Sequence, residues 1–219
     1  MTESNTIRNN RAVLLLIGGI PVTMILAATW LWYFVAHGDL DLVSVLGTAN
    51  RGTLVEPPRQ LGDVRLLDQA GLQLDFGELE PRWAMIIPAG RGQCDAACEQ
   101  SLYMTRQIHV AMGKSFNRIR RLYVSERGVA DIGLTVDELS DKRPAPLDFG
   151  TYLKNEHRGL KALTLEPGGY DTMFPEHAAD PTTWYLVDPA GWIMMSYNSD
   201  IPYKDVISDL KFLLKNSGG

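Results

Sequence analysis

The sequence predicts an α/β sandwich behind a single N-terminal transmembrane helix, on three observations. Ala12 to Ala36 contains no charged residue. A continuous apolar run, Trp83-Ala84-Met85-Ile86-Ile87-Pro88, leads to the only two cysteines, Cys94 and Cys98, and a helical pattern follows them. Two further β-like runs then flank a turn and give way to a closing amphipathic helix. Net charge is −5 with no basic stripe, so nucleic acid is not an expected partner. The length beyond the apolar segment suits one domain with an ordinary core.

At about 1.5 Å per residue, Ala12 to Ala36 spans the ~30 Å hydrocarbon core with length to spare for tilt. Pro21 is expected to kink this helix without stopping it. Trp30, Trp32 and Tyr33 gather near one end, where amphipathic rings favour the headgroup region. Arg8 and Arg11 precede the span, and Asp39 and Asp41 follow it. The positive-inside rule then keeps the N-terminus in the cytoplasm and sends the C-terminal domain across. A cleaved secretory signal is the competing reading. The run is longer than the roughly 7–15 residues of a signal h-region, and aromatics stand where small residues belong, so an uncleaved anchor is expected. Either way the domain meets an oxidising compartment, where a cysteine pair can be a disulfide, a redox couple or a metal site.

The expected organisation is a cytoplasmic N-terminus over 1–11, the transmembrane helix over 12–36, a tether over 37–60 with no lasting period, and a folded domain over 61–219. Val64-Arg65-Leu66-Leu67 and Leu72-Gln73-Leu74 flank Asp68-Gln69-Ala70-Gly71 and read as a hairpin. Trp83 to Pro88 has the length and apolarity of a buried central strand. Asp95 to about Met112 is helical, with acidic Asp95 and Glu99 at its N-terminal end and Gly113 as its stop. Arg118 to Ser125 reads as a strand whose Arg118, Arg120 and Arg121 mark a solvated edge or strand start. Pro144 to Leu163 is polar, with a short helix around Phe149 to Leu153. Trp184-Tyr185-Leu186-Val187 and Trp192-Ile193-Met194-Met195 are strands around Asp188-Pro189-Ala190-Gly191. In the closing helix, Val206, Ile207, Leu210, Leu213 and Leu214 fall at helical spacing. Central strands with helices between them, and an antiparallel pair late in the chain, describe a thioredoxin-like sandwich.

Cys94 and Cys98, four positions apart at a helix mouth, lie on one face, close enough to share a soft metal ion or close a disulfide. Helix N-terminal amides lower thiol pKa values, so thiolates at an accessible helix tip are expected. Gly-rich phosphate-loop spacing and a Cys-x2-Cys-His haem motif are both absent.

These residues resemble the Sco/SenC family, membrane-anchored thioredoxin-fold proteins that help insert copper into cytochrome c oxidase. The resemblance runs through Leu67-Asp68-Gln69-Ala70-Gly71 with Phe76-Gly77-Glu78-Leu79, Cys94-x3-Cys98, Tyr185-Leu186-Val187-Asp188-Pro189-Ala190-Gly191 and the Val206-Ile207-Ser208-Asp209-Leu210-Lys211 helix. It implies a single-pass protein of the cell inner membrane with its C-terminal domain on the periplasmic side. It implies Cu(I) held by Cys94 and Cys98, and a cytochrome c oxidase subunit as partner. Thiolates suit a soft ion of low coordination number. The family's histidine falls here on Asp180, and the nearest histidine is His177, the candidate third ligand, with Met173 a further soft donor on the same loop.

Two other readings stand beside copper delivery. Pro181, in Asp180-Pro181-Thr182-Thr183, resembles the cis-proline that packs against the cysteines of thioredoxin-like oxidoreductases. That favours a thiol–disulfide oxidoreductase that reduces the oxidase's cysteines, with a thiol–disulfide partner. A non-catalytic scaffold with a structural disulfide is the third reading. His37, His109 and His157 read as surface or solvated residues, His109 as at most partly buried. Core packing accounts for one of Met194 and Met195, and for Trp184 and Trp192 as core or interface residues.

Overall fold

The computed structural model of the chain describes residues 3–36, 50–90 and 92–216. It divides into two compact units, Met1–Ala49 and Asn50–Gly219. The first holds helix α1 (Glu3–Ala36), which runs through Pro21. Within it Leu15–Tyr33 is long and apolar enough to cross a membrane. His37, Asp39, Asp41 and the tether over 37–49 lie outside the described residues.

The second unit is built on an eight-stranded sheet in the order β1-β10-β9-β4-β6-β8-β2-β3. Its strands are β1 (Thr53–Gln60), β2 (Leu66–Leu67), β3 (Gln73–Leu74), β4 (Trp83–Ala89), β6 (Ile119–Ser125), β8 (Leu160–Leu165), β9 (Trp184–Val187) and β10 (Trp192–Tyr197). A separate parallel pair joins β5 (Gln93–Cys94) to β7 (Gly133–Leu134). The helices are α2 (Ala96–Ala111), α3 (Phe149–Glu156), α4 (Gly169–Met173), α5 (Pro175–Ala179) and α6 (Tyr203–Asn216).

β4 is buried at every residue because both faces of the sheet are covered. Its side chains alternate as the pleat requires. Met85 and Ile87 meet Leu102 of α2, Phe149 of α3 and Leu210 of α6 in one core. Ala84 and Ile86 join Tyr170, Met173 and Phe174 of the α4–α5 segment in the other. β4 runs parallel to β6, and β6 to β8. On the other side β9 is antiparallel to β4, and β10 to β9.

Both expected hairpins form, β2–β3 and β9–β10. In the first turn the Asp68 carboxylate accepts from the amides of Ala70 and Leu72 at 2.8 and 2.9 Å. Within the expected tether, Thr53 to Gln60 is the edge strand β1, antiparallel to β10. Its Pro57 and its register shift between Leu54 and Arg59 hid it, since neither fits an alternating strand pattern. The join to α6 is specific. Buried Asp209 accepts hydrogen bonds from the amides of Arg51 and Gly52 at 2.8 and 3.0 Å and from the Tyr197 hydroxyl at 3.2 Å.

Two polar residues lie deeper than their setting in the sequence indicates. Arg121 is buried within β6, and His157 is 2 % exposed; neither is solvated. Arg121 Nη1 donates to His157 Nδ1 at 3.2 Å, which leaves the imidazole proton on Nε2, an atom with no partner. Burial, with the Arg121 and Arg106 charges, lowers His157 to about 3, although the Glu156 carboxylate acts the other way. Arg121 is itself lowered to about 10, chiefly by burial.

The unfolded chain therefore binds a proton at His157 between its ordinary pKa of about 6.5 and about 3 that the folded chain refuses. Stability rises with pH across that window and is lost as pH falls. Urea unfolding of the full chain in detergent at pH 7 and pH 5 should show up to about 2 kcal/mol of this loss removed in His157→Gln relative to wild type; equal pH dependence in both would contradict it. Asp209→Ala, which orphans three donors at the start of the domain, should lower stability by about 2–3 kcal/mol with the urea m-value unchanged.

A cysteine pair at the edge of a cleft

The sequence between β4 and α2 fixes where the cysteines stand. Gly92 has φ +69, and a Cβ there would meet Arg127 Cδ at 2.6 Å, so the chain turns beneath that side chain only as glycine. Gln93 and Cys94 then pair with Gly133 and Leu134, and the Cys94 carbonyl accepts from the Thr135 amide at 3.0 Å. Asp95 caps α2: its carboxylate accepts from the amides of Ala97 and Cys98, both at 3.1 Å. Cys98 thus sits in the first helical turn with Cys94 just outside it. The two form a disulfide, with an S–S distance of 2.04 Å and Cα atoms 5.1 Å apart.

The expected accessible helix tip needs correction. Cys94 is 0 % exposed and Cys98 6 %. Cys94 lies within the core that includes Ile132, with Leu134 and Val136 packed against it. Cys98 alone of the pair lines a cleft of about 470 Å³, together with Gln93, Asp95, Tyr170, His177 and Pro181.

His177 therefore shares a cavity with Cys98. It is 8 % exposed, on α5, a short helix that Pro175 begins at its first position. Its Nδ1 is hydrogen-bonded to the Tyr170 hydroxyl, and its backbone amide donates to the Tyr185 hydroxyl at 3.0 Å. Its Nε2 makes no hydrogen bond among the described residues and is not among the sealed polar atoms. Burial lowers the imidazole to about 4, against the opposing pull of the Asp180 and Asp95 carboxylates, so the ring is neutral at pH 7. The Tyr185 hydroxyl donates to Glu176 at 2.8 Å, and Arg59 of β1 forks onto the same carboxylate at 2.7 and 2.9 Å. Tyr170 lies close against Gly90, where a Cβ would meet its ring at 2.8 Å.

Other sequence expectations fare differently. The Asp180–Pro181 bond is trans; the cis bond among the described residues is Glu56–Pro57. The physical reason is a turn. The Thr183 amide donates to the Asp180 carbonyl at 3.0 Å, which puts Pro181 at the second position, where a trans proline fits. Pro181 nonetheless lines the cleft. Asp180 is held by Thr182 and by Asn198, whose amide lies 3.0 Å from its carboxylate. Met173 is buried in the core on the far side of the sheet from Cys94 and is no donor to the cleft. His109 stacks on Phe116 and bonds its carbonyl at 2.9 Å. Met195 is in the core and Met194 is exposed; Trp184 is buried and Trp192 exposed.

Sequence reasoning passed over Tyr170, Tyr185, Glu176 and Arg59. Pro175 opening Pro175-Glu176-His177 was a legible helix start. Nothing local in the sequence pairs Arg59 with Glu176.

Chemically, the closed pair can accept two electrons from a dithiol, and the opened pair can offer thiolates. Among the described residues no group of three His, Cys, Asp or Glu side chains is already gathered as a metal site. With the disulfide closed, Cys94 and Cys98 have no thiolate to give, and reduction would create the donors.

Residues 83–217 match the family model described as transmembrane-like, thioredoxin-like, C-terminal domain. Among solved structures the chain is similar to yeast Sco1, at 15 % identity and TM-score 0.52, over 79 % of this chain and 99 % of that one. Copper-bound yeast Sco1 is similar at 16 % identity and TM-score 0.51, over 78 % and 96 %. A thiol:disulfide interchange protein from Bacteroides sp. aligns at 12 % identity and TM-score 0.45, over 76 % and 91 %. The two yeast likenesses show a Sco-like thioredoxin fold. No curated protein sequence matches the chain. With more than half its length matched by that model, the chain belongs to the transmembrane-like, thioredoxin-like C-terminal domain family.

Proposed function

We propose that this chain is a membrane-anchored assembly factor for cytochrome c oxidase that binds Cu(I) and passes it to an oxidase subunit. Cys94 and Cys98 are the thiolate ligands and His177 is the third. The observation that carries this reading is that Cys98 and His177 line one cleft, brought there from elements far apart in sequence. Two thiolates and a neutral imidazole are a soft donor set that suits Cu(I). Tyr170 supports the histidine as an outer partner should: in the tautomer whose Nδ1–H donates to the tyrosine oxygen, the Nε2 lone pair is free for a metal. The yeast protein of similar fold has been solved with copper bound. The disulfide must first be opened by a dithiol reductant, which supplies two electrons and two protons and becomes a disulfide itself.

In this reading residues 1–11 lie in the cytoplasm, α1 crosses the cell inner membrane once, and the domain works on the periplasmic side. The apolar Leu15–Tyr33 segment and the flanking charges support that placement.

A second reading has one observation in its favour. The pair is closed, and Cys98 borders a cleft that Pro181 also lines, which suits a thiol–disulfide oxidoreductase acting on the oxidase's cysteines. It needs no third ligand.

Competition of the reduced full chain in detergent against a chromophoric Cu(I) chelator separates the readings. Copper binding predicts one tight Cu(I) per chain, lost in Cys94→Ser and Cys98→Ser and weakened about 10–100-fold in His177→Ala, with a smaller loss in Tyr170→Phe. Reduced wild type binding no more tightly than Cys94→Ser would remove the copper reading. Reversible opening of the wild-type disulfide by a dithiol tests the exchange reading, and a pair that never opens under native conditions leaves a structural staple.

A further inference from the structure

Arg121 and His157 together form a buried, donor-only pair for which the described residues supply no anion. We infer that the cavity along one face of α3 binds a phosphate group, held by Lys154 and Arg158 at its rim and by His157 from its wall.

Arg121 of β6 is 3 % exposed, forms no ion pair among the described residues, and has an Nε without a partner. A buried cation of this kind is destabilising, and an anion nearby relieves it. Its Nη1 donates to His157 Nδ1 at 3.2 Å. A guanidinium has no acceptor to offer, so the imidazole accepts at Nδ1 and carries its proton on Nε2. That N–H is a second sealed donor without a partner. The Arg121 charge behind the ring polarises it and makes Nε2–H a stronger donor.

His157 lines a cavity of about 510 Å³ with Gln69, Leu153, Lys154 and Arg158. Leu153, Lys154 and His157 share one face with Gly150 at helical spacing, so α3 and its C-cap form one wall. Lys154 and Arg158 are exposed and form no ion pair among the described residues. No described Asp or Glu lines this cavity. Glu156, between the two cations in sequence, is matched instead by Arg106 at 3.1 Å and Arg143 at 2.9 Å. Lys154 also suits the C-terminal end of α3, where a cation favours the helix dipole. That accounts for one rim charge and leaves the open donor of His157 unexplained.

An ammonium, a guanidinium and an imidazole N–H are all donors, so the group that fits them is an acceptor. Phosphate offers several oxygens and up to two negative charges, which the two rim cations match. The guanidinium forks onto two oxygens and the ammonium meets another as a point charge. A carboxylate, with one charge, would leave one cation over. The phosphate arrives free in solution or as the headgroup of a membrane lipid, and both present the same chemistry. This cavity shares no lining residue with the cysteine cleft, so the inference does not rest on copper or on exchange.

Calorimetric titration of the full chain in uncharged detergent with inorganic phosphate, at fixed ionic strength, tests the site. One phosphate should bind per chain, weakened at least about tenfold in Lys154→Gln and in Arg158→Gln. Lys211→Gln, which removes an exposed cation of α6, should bind as wild type does. No binding by wild type, or an equal loss in Lys211→Gln, would overturn the site. The part played by His157 is read on the wild-type chain by nitrogen-15 NMR, with its ring signals assigned by their absence in His157→Gln. Phosphate should shift the His157 Nε2 signal and chloride should not; an unmoved signal would overturn the role of His157. Repeating the titration in phosphatidylcholine nanodiscs, with and without phosphatidic acid, identifies the source. Binding lost only beside phosphatidic acid supports a lipid headgroup in the site, and binding kept in both supports the free anion. Binding lost in both would overturn the proposal.

Discussion

β4 is covered on both faces, and this constraint governs the rest of the domain. A strand with no exposed residue must have helices above and below it and paired strands on both edges. Its carboxyl end must then emerge at the rim of the sheet, where Gly90 and Gly92 let the chain turn and Asp95 starts α2. Cys94 and Cys98 fall at that junction. Cys94 stays within the core because β5 is still paired, and Cys98 reaches the rim because it is already on the helix.

The other side of the cleft is assembled by polar contacts rather than by the sheet. α5 has five residues, too short to hold itself in place by helix formation alone. It is fixed by Arg59 on Glu176, by Tyr185 between Glu176 and the His177 amide, and by Tyr170 on the His177 ring. Arg59 comes from the edge strand β1, so the beginning of the domain helps hold a group that lines the same cleft as Cys98. Burial keeps the imidazole neutral, the form in which a ring nitrogen can coordinate a metal.

The sequence made the central elements legible where one physical signal dominated. The unbroken apolar run of β4, the capping Asp95, the turn residues of both hairpins and the period of α6 each point one way, and each is found. β1 was hidden because Pro57 and a register shift break its alternation. β8 was hidden because Leu160 to Leu165 follows a polar stretch and carries Lys161 on a strand that is only partly covered. At the site, the cysteine pairing was open to reading from spacing, but the burial of Cys94 was not, since it depends on β7 forty residues away. His177 could be named as the nearest histidine, whereas its meeting with Cys98 depends on the α4–α5 fold. Pro181 resembles a cis-proline in sequence because a proline before a strand looks alike whichever turn position it takes. His157 and Arg121 looked solvated because a buried cation beside a neutral imidazole leaves no local pattern.

The central claim is that the reduced Cys94 and Cys98 and the His177 that shares a cleft with Cys98 hold one ion. X-ray absorption at the copper edge of the reduced, Cu(I)-loaded full chain measures this most directly. The account predicts two sulfur neighbours and one nitrogen, with the nitrogen lost in His177→Ala and the sulfurs retained. A copper environment without sulfur, or a nitrogen neighbour that survives His177→Ala, would contradict it.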